Sequence, residues 1–288
     1  MKIFFYTSFA LVAFSLNSIL CRLALETQAI DAASFTSIRL LSGAIMLLAI
    51  NTSFGNERTK TKDGNWLSAF FLFSYAFCFS FAYVGLSAGT GALILFGCVQ
   101  MTMIAAALFS GERPRTLEWL GLIFALAGLI CLVFPNLSAP SFFHSALMAI
   151  AGVSWGFYTM QGRGSINPLG DTSGNFVRTI PLVVLASLPF LIQFHSSQLG
   201  ILLAVLSGAI TSGIGYALWY AALKFHTATR AAILQLSVPV LTAFIGVIFL
   251  SETVSMRLLW TAVLIVGGIG LAILSRKYDK NKILVNQN

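Results

Sequence analysis

Residues 109–129 read FSGERPRTLEWLGLIFALAGL, and residues 249–269 read FLSETVSMRLLWTAVLIVGGI. In each, a polar elbow carrying a glutamate (Glu112, Glu252) leads into an apolar run that reaches a glycine (Gly128, Gly268). These pairs are separated by 140 residues, and the rest of the chain keeps nearly the same offset. Ser15 falls on Ser154, Arg39 on Arg178, Leu95 on Leu234 and Val99 on Val238. Each match alone is weak, because apolar sequences align by chance. An offset shared along the whole chain is the mark of an internal repeat.

The composition puts these runs in a bilayer. Of 288 residues, 9% are charged and 58% apolar, and the mean hydropathy is +0.89. A soluble domain carries about 25% charged residues, and so few charges could not cover so apolar an interior in water. Aromatic residues at 13% exclude a disordered chain. The net charge of +8 does not indicate nucleic acid, since the basic residues lie between apolar runs instead of forming one solvated patch. Cys21, Cys78, Cys98 and Cys131 fall within or at the ends of apolar runs without metal-ligand spacing. They read as packing residues, and neither a metal nor a cofactor is expected. Lys2 followed by an apolar stretch resembles a secretory signal, but the further spans make it a retained first helix.

A hydrocarbon core of about 30 Å takes roughly 20 apolar residues per helix. That length predicts an all-α polytopic protein of ten spans, at 3–22, 33–53, 66–86, 90–110, 117–134, 143–162, 175–194, 199–222, 229–250 and 257–275. Ten spans leave both termini on one side. Lys2, Arg58, Lys60, Lys62, Arg113, Arg115, Arg163, Lys224, Arg230, Arg276, Lys277, Lys280 and Lys282 lie there, against Arg22 and Arg257 opposite. This bias predicts a multi-pass membrane protein with both termini in the cytoplasm. Each repeat contains an odd number of spans, so the second enters the membrane inverted. The expected units are 1–137, 138–275 and a basic cytoplasmic tail, 276–288, with PNLSAPS (135–141) as the joint. Inverted repeats are characteristic of secondary transporters, which exchange the conformations of two related halves to alternate access.

AGVSWGFY (151–158), an arginine in the second span of each half, and the glutamate-then-glycine pattern around the fourth and fifth spans carry a family resemblance. The chain resembles the drug/metabolite transporter superfamily over about 3–275, in particular its EamA-type members, which include YddG-like amino-acid exporters. In the first half Leu16-Asn17 stands where that pattern has Trp-Gly. The resemblance implies a central cavity surrounded by the first, third, fourth, sixth, eighth and ninth spans. It also implies a small-molecule substrate, most plainly an amino acid to be exported, with a multidrug or other-metabolite carrier as the alternative. The surrounding partner is lipid, the chain being a monomer or weak homo-oligomer.

Candidate cavity residues follow from side-chain chemistry on those spans. Tyr75, Phe79 and Tyr83 recur at helical spacing, Trp155 and Tyr158 are three apart, and Tyr216, Trp219 and Tyr220 share one face. Such residues hold an apolar or aromatic solute and offer hydroxyl or indole N–H groups; the other reading is an aromatic belt at the lipid interface. Ser15, Asn17, Gln100, Ser154, Thr159, Gln161 and Gln235 are polar within spans and are expected to face a cavity or another helix. Asn17, Gln100 and Gln235 suit the ammonium or carboxylate of a zwitterion. Pro239 frees a backbone carbonyl or kinks its helix. Arg39–Glu252 and Arg178–Glu112 are candidate gating pairs on opposite sides, with snorkelling of the arginines as the other reading. No carboxylate lies deep in a span, which argues against a proton relay and for facilitated diffusion or exchange. Gly85 to Gly89 matches the GxSxG nucleophile elbow, but between helices and without a mid-span acid, so an enzyme is not expected.

Overall fold

In hydrocarbon a backbone has no water to bond, so apolar runs of this length close their hydrogen bonds as helices. The computed structural model describes residues 2–54, 64–86, 88–133, 141–250 and 256–285, which are almost entirely helical and contain no strand. In chain order these are α1 (Lys2–Glu26), α2 (Ala32–Phe54), α3 (Trp66–Tyr83), α4 (Ala88–Phe109), α5 (Thr116–Val133), α6 (Phe142–Gly162) and α7 (Pro168–Ser187). There follow a 3₁₀ turn (Leu188–Gln193), α8 (Gln198–Leu206), a π-helical segment (Ser207–Ile214), α9 (Gly215–Leu223), α10 (Ala228–Gln235), α11 (Ser237–Leu250) and α12 (Met256–Val285). Seven described helices are long and apolar enough to cross a membrane, counting 198–223 as one rod; Thr116–Leu132 and Leu259–Leu274 are shorter apolar helices.

Every expected span coincides with a helix or with helices joined end to end, but the boundaries differ. α7 begins seven residues before the expected span, because Asn167 caps it through Gly170 N–H and Pro168 opens it. Its first turns, GDTSGN, are polar and invisible to a hydropathy window. Residues 228–250 break at Leu236. Pro239 lacks the N–H that would bond the Gln235 carbonyl, which lies just before this break. Helix α12 continues through the basic stretch as far as Val285, because neither glycine nor proline follows Gly270 to stop it.

The helices pack in an interleaved order. α6 lies against α3 and α4; α1 lies against α9 and α11; α2 lies against α7 and the π segment. α5 and α12 pack chiefly on each other. At their crossing Gly121 and Gly268 touch, and a Cβ at either would strike the carbonyl oxygen of the other. Large apolar side chains such as Ile45, Phe109 and Trp260 cover the outside of the bundle, as a lipid-facing surface requires. Gly268→Ala is expected to cost about 1–3 kcal/mol by overpacking. Gly270→Ala, with no neighbouring atom within 4 Å of the added carbon, is the control. Thermal unfolding in detergent measures both, and equal melting temperatures would contradict the close crossing.

Candidate functional site

At the centre of the bundle α1, α3, α4, α6, α9, α10 and α11 enclose a cavity of about 20 Å³, room for about one water. Phe14, Asn17, Tyr75, Phe79, Trp155, Tyr216 and Gln235 are in its wall. The Trp155 ring lies 4.7 Å from Tyr216, 4.8 Å from Tyr75 and 5.3 Å from Phe14, the last edge-on. Each such pair contributes about 1 kcal/mol beyond its buried area. Trp155 Nε1 donates to Gln235 Oε1 at 2.6 Å, and Gln235 Nε2 donates to Met103 Sδ at 3.1 Å and to the Ala231 carbonyl at 3.3 Å. The amide is thereby held across α6, α4 and α10, with its orientation set by an indole that can only donate.

One pole of this cavity is polar. Asn17 Oδ1 accepts from Ser207 at 2.6 Å, Thr211 at 3.2 Å and Ser212 at 3.5 Å, all from the π segment. Ser212 in turn accepts from Arg39 Nε at 2.9 Å, and Tyr216 accepts from Arg39 Nη2 at 2.6 Å. The guanidinium carbon lies 5.4 Å from the Tyr75 ring centroid and 5.8 Å from that of Phe79. Arg39 is 1% exposed, so it does not snorkel. Gly208 makes this arrangement possible: a Cβ there would overlap the Arg39 carbonyl and the Ser42 hydroxyl. Helix α2 and the π segment therefore meet backbone to backbone.

The two ends of the bundle differ. Where α1 ends and α2 begins, a vestibule of about 800 Å³ opens among Arg22, Glu26, Asp31, Tyr83, His144 and His195. At the end where α1 starts, polar contacts tie the helices together. There Glu112 Oε1 accepts from Arg163 Nη2 at 2.7 Å, and both its oxygens lie 3.1–3.2 Å from Ala228 N–H at the start of α10. Glu118 pairs with Arg230 at 2.9 Å, and Tyr220 OH donates to the Tyr158 carbonyl at 2.8 Å beneath the cavity.

Carboxylates also tie down α7 at both ends, the far end to the start of α2 and the near end to the start of α3. Asp31 accepts from Ser34 N–H at 2.9 Å and from His195 N–H, beyond α7, at 3.1 Å. Ile30 and Ser196 form a β-bridge beside it. At the other end Asp171 accepts from Gly64 N–H, just before α3, at 3.0 Å, and Asn175 Oδ1 accepts from the N–H of Asn65, the α3 N-cap, at 2.9 Å. Gly64 adopts φ +70°, which favours glycine.

The structure thus gathers Asn17, Tyr75, Phe79, Trp155, Tyr216 and Gln235 into one cavity wall. Tyr158 and Trp219 are buried behind it, with Trp219 edge-on to Phe14 at 5.6 Å. Trp219 and Tyr220 are buried, against the alternative reading of an aromatic belt; Tyr83 lines the vestibule. Gln100 is outside the wall, its Nε2 donating to the Ala232 carbonyl at 2.7 Å. The expected Arg178–Glu112 pair is not formed. Arg178 Nη1 bonds the Gly174 carbonyl of its own helix at 2.8 Å, while Glu112 takes Arg163. Span counting set Arg178 and Glu112 at the same membrane depth without fixing which helix faces Glu112. Glu252 lies outside the described residues. Arg39 is committed to Ser212 and Tyr216 on the inside of the bundle. Sequence reasoning missed Ser207, Thr211, Ser212, Asp31 and Asp171. The small polar run SGAITSG inside an apolar span was the signal for the first three. Asp31 and Asp171 carry the same 140-residue offset as the glutamates.

Comparison with known proteins agrees with this architecture. The sequence profile of the EamA-like transporter family matches residues 1–134 and again 143–274. An uncharacterized protein of Pseudomonas aeruginosa is 46% identical over 270 residues, covering 94% of each chain. An uncharacterized transporter of Archaeoglobus fulgidus is 26% identical, covering 83% of this chain and 92% of its own. The threonine/homoserine exporter RhtA of Escherichia coli is 29% identical over 191 residues, 63% of this chain and 62% of its own. A solved crystal structure superposes with a TM-score of 0.76 at 21% identity, covering 93% of this chain and 98% of its own.

The Asp31 clip lies outside the membrane-spanning helices and titrates. Partial burial opposes its charge, but hydrogen bonds from Ser34, His195 and Ala33 outweigh this and hold the carboxyl below its ordinary value of 3.8. A lowered carboxyl pKa stabilises the fold fully above the ordinary value, and the stabilisation is lost as pH falls through the lowered one. An asparagine in its place would offer one acceptor oxygen where the carboxylate uses two. Asp31→Asn is expected to melt roughly 2–4 °C below wild type at neutral pH, with the gap closing in strong acid. A gap unchanged at about pH 2.5 would contradict the clip.

Proposed function

The chain belongs to the EamA-like transporter family, and on that premise we propose that it exports a neutral amino acid or close metabolite across a bacterial inner membrane by alternating access. The carrying observation is the central cavity, ringed by aromatic rings and fixed amides, with the Tyr220–Tyr158 and Glu112–Arg163 contacts toward one end of the bundle, and adjoining the vestibule end through Phe79 and Tyr83, whose rings are 4.8 Å apart. Aromatic walls bury the side chain of such a solute, and a few placed polar groups orient it. The Escherichia coli relative is a threonine/homoserine exporter, which supports the substrate class.

In this reading the end where α1 starts faces the cytoplasm, as the basic residues around it favour. The Glu112–Arg163 pair and the Glu112 contact to the α10 N-terminus form the inner seal, and the vestibule is outside. Residues 1–137 and 138–275 act as inverted halves, followed by the basic tail. This is supported by the packing of α6 on α3 and α4, which corresponds to that of α1 on α9 and α11. The packed α2–α7 pair is the axis about which the halves exchange. Among the described residues the buried acid is Glu118, at the start of α5 and paired with Arg230. Movement is therefore down the solute's own gradient.

Efflux of radiolabelled amino acids from proteoliposomes, with no imposed ion gradient, tests the reading. Threonine, homoserine and other neutral members are expected to leave, and acidic and basic members to remain. Trp155→Ala, which removes both the ring and the indole N–H on Gln235, is expected to slow efflux at least about tenfold, a loss of roughly 1.4 kcal/mol or more. Folded wild-type protein that moves no amino acid would overturn the assignment.

A further inference from the structure

The polar pole of the cavity contains a charge that no described side chain neutralises. Arg39 is buried eight residues into α2, and both its hydrogen bonds go to neutral hydroxyls. The ion pairs among the described residues join Arg22 to Glu26, Arg163 to Glu112 and Arg230 to Glu118, and Arg39 is in none of them. Its Nη1 makes no hydrogen bond. A guanidinium without a counter-ion inside a membrane protein is costly and belongs to a functional path by default.

The groups around it share one polarity. Tyr216 accepts from Arg39 and is left with its own proton to give, while the Ser212 proton is taken up by Asn17 Oδ1. Asn17 has its oxygen occupied by three hydroxyls, so what it can still offer a ligand is its N–H₂. Asn17 and Tyr216 are in the cavity wall, and the Tyr75 and Phe79 rings stand between the cavity and the guanidinium. A pole whose free groups at the cavity wall, the Asn17 N–H₂ and the Tyr216 O–H, are donors beside a fixed positive fork fits a planar anion. We propose that Arg39 is the anion anchor of the transported solute, binding its carboxylate together with Asn17 and Tyr216 once Tyr75 and Phe79 swing aside to admit it. This rests on the amino-acid reading above and names the group by which the solute is held.

The test compares L-threonine, L-leucine and L-phenylalanine with the carboxamide of each, in proteoliposome counterflow and as ligand-induced thermal shifts of purified protein. Wild type is expected to prefer each transported acid over its carboxamide by at least tenfold. Arg39→Gln is expected to keep a cooperative melting transition but bring that preference close to one, with Tyr216→Phe in between. A purely structural Arg39 would weaken acid and carboxamide equally, and a preference that survives Arg39→Gln would overturn the anchor. Should Arg39→Gln not fold, Arg39→Lys decides: it keeps the charge and loses the fork, so an undiminished preference would equally overturn the proposal. If wild type moves none of these amino acids, the amino-acid reading fails on that result alone. The thermal shifts then judge the anchor separately: stabilisation by the acids and not the carboxamides, lost in Arg39→Gln, supports it, and no such difference in wild type overturns it.

Discussion

Inside a bilayer each helix spends its backbone hydrogen bonds on itself, so neighbouring helices are held only by what their side chains do at the crossings. How near two helices come is therefore set by the smallest residue between them. Gly208 is such a residue, and it lets the π segment rest on the backbone of α2 at Arg39. That contact brings Ser212 and Tyr216 within reach of the guanidinium and the π-segment hydroxyls within reach of Asn17. A side chain at residue 208 would part the two helices, and the polar pole, the aromatic ring around Trp155 and the cavity between them all depend on their closeness. Gly121 and Gly268 play the same part for α5 and α12 at the edge of the bundle.

The buried polar groups form two separate sets with different tasks. The Trp155–Gln235 bond ties α6 to α10 and fixes a rigid aromatic wall. The Arg39–Ser212–Asn17 set ties α2 and α1 to the π segment and leaves donors facing inward. Low surrounding dielectric strengthens both sets and penalises any member left unpaired, which is why hydroxyl and amide side chains are packed so densely into one short stretch of α8–α9.

Much of the fold was legible because hydropathy acts over long windows. A run of twenty apolar residues has one stable form in lipid, and the polar elbows mark where it ends. What the windows could not register was local. The polar first turn of α7 became helix through its Asn167 cap and Pro168. The rotation of each rod about its axis decides partners, and hydropathy does not report it. Glu112 and Arg178 were expected at one end of the bundle, yet which arginine meets Glu112 depended on the turn after α6, where Arg163 caps the helix and pairs with it. Six of the ten cavity candidates lie in one wall because aromatics at helical spacing share a face whatever that face meets. Gln100 carried the same chemical signal, but α10 stands in front of it and takes up its amide.

The π segment gives the rod 198–223 a property its neighbours lack. Its N–H groups reach five residues back, as Gly215 does to Ile210, so it carries surplus chain that an α-helix would not hold. Surplus of this kind can migrate along a helix by exchanging one set of carbonyl acceptors for the next, without leaving any donor bare in lipid. Each step twists the lower part of the rod against the upper. Tyr216, Trp219 and Tyr220 ride on the lower part, while Gln198–Leu206 stays fastened beside the Ile30–Ser196 bridge. The π segment thus lies between the part of the rod beside the Ile30–Ser196 bridge and the part that carries the aromatic residues at and behind the cavity wall.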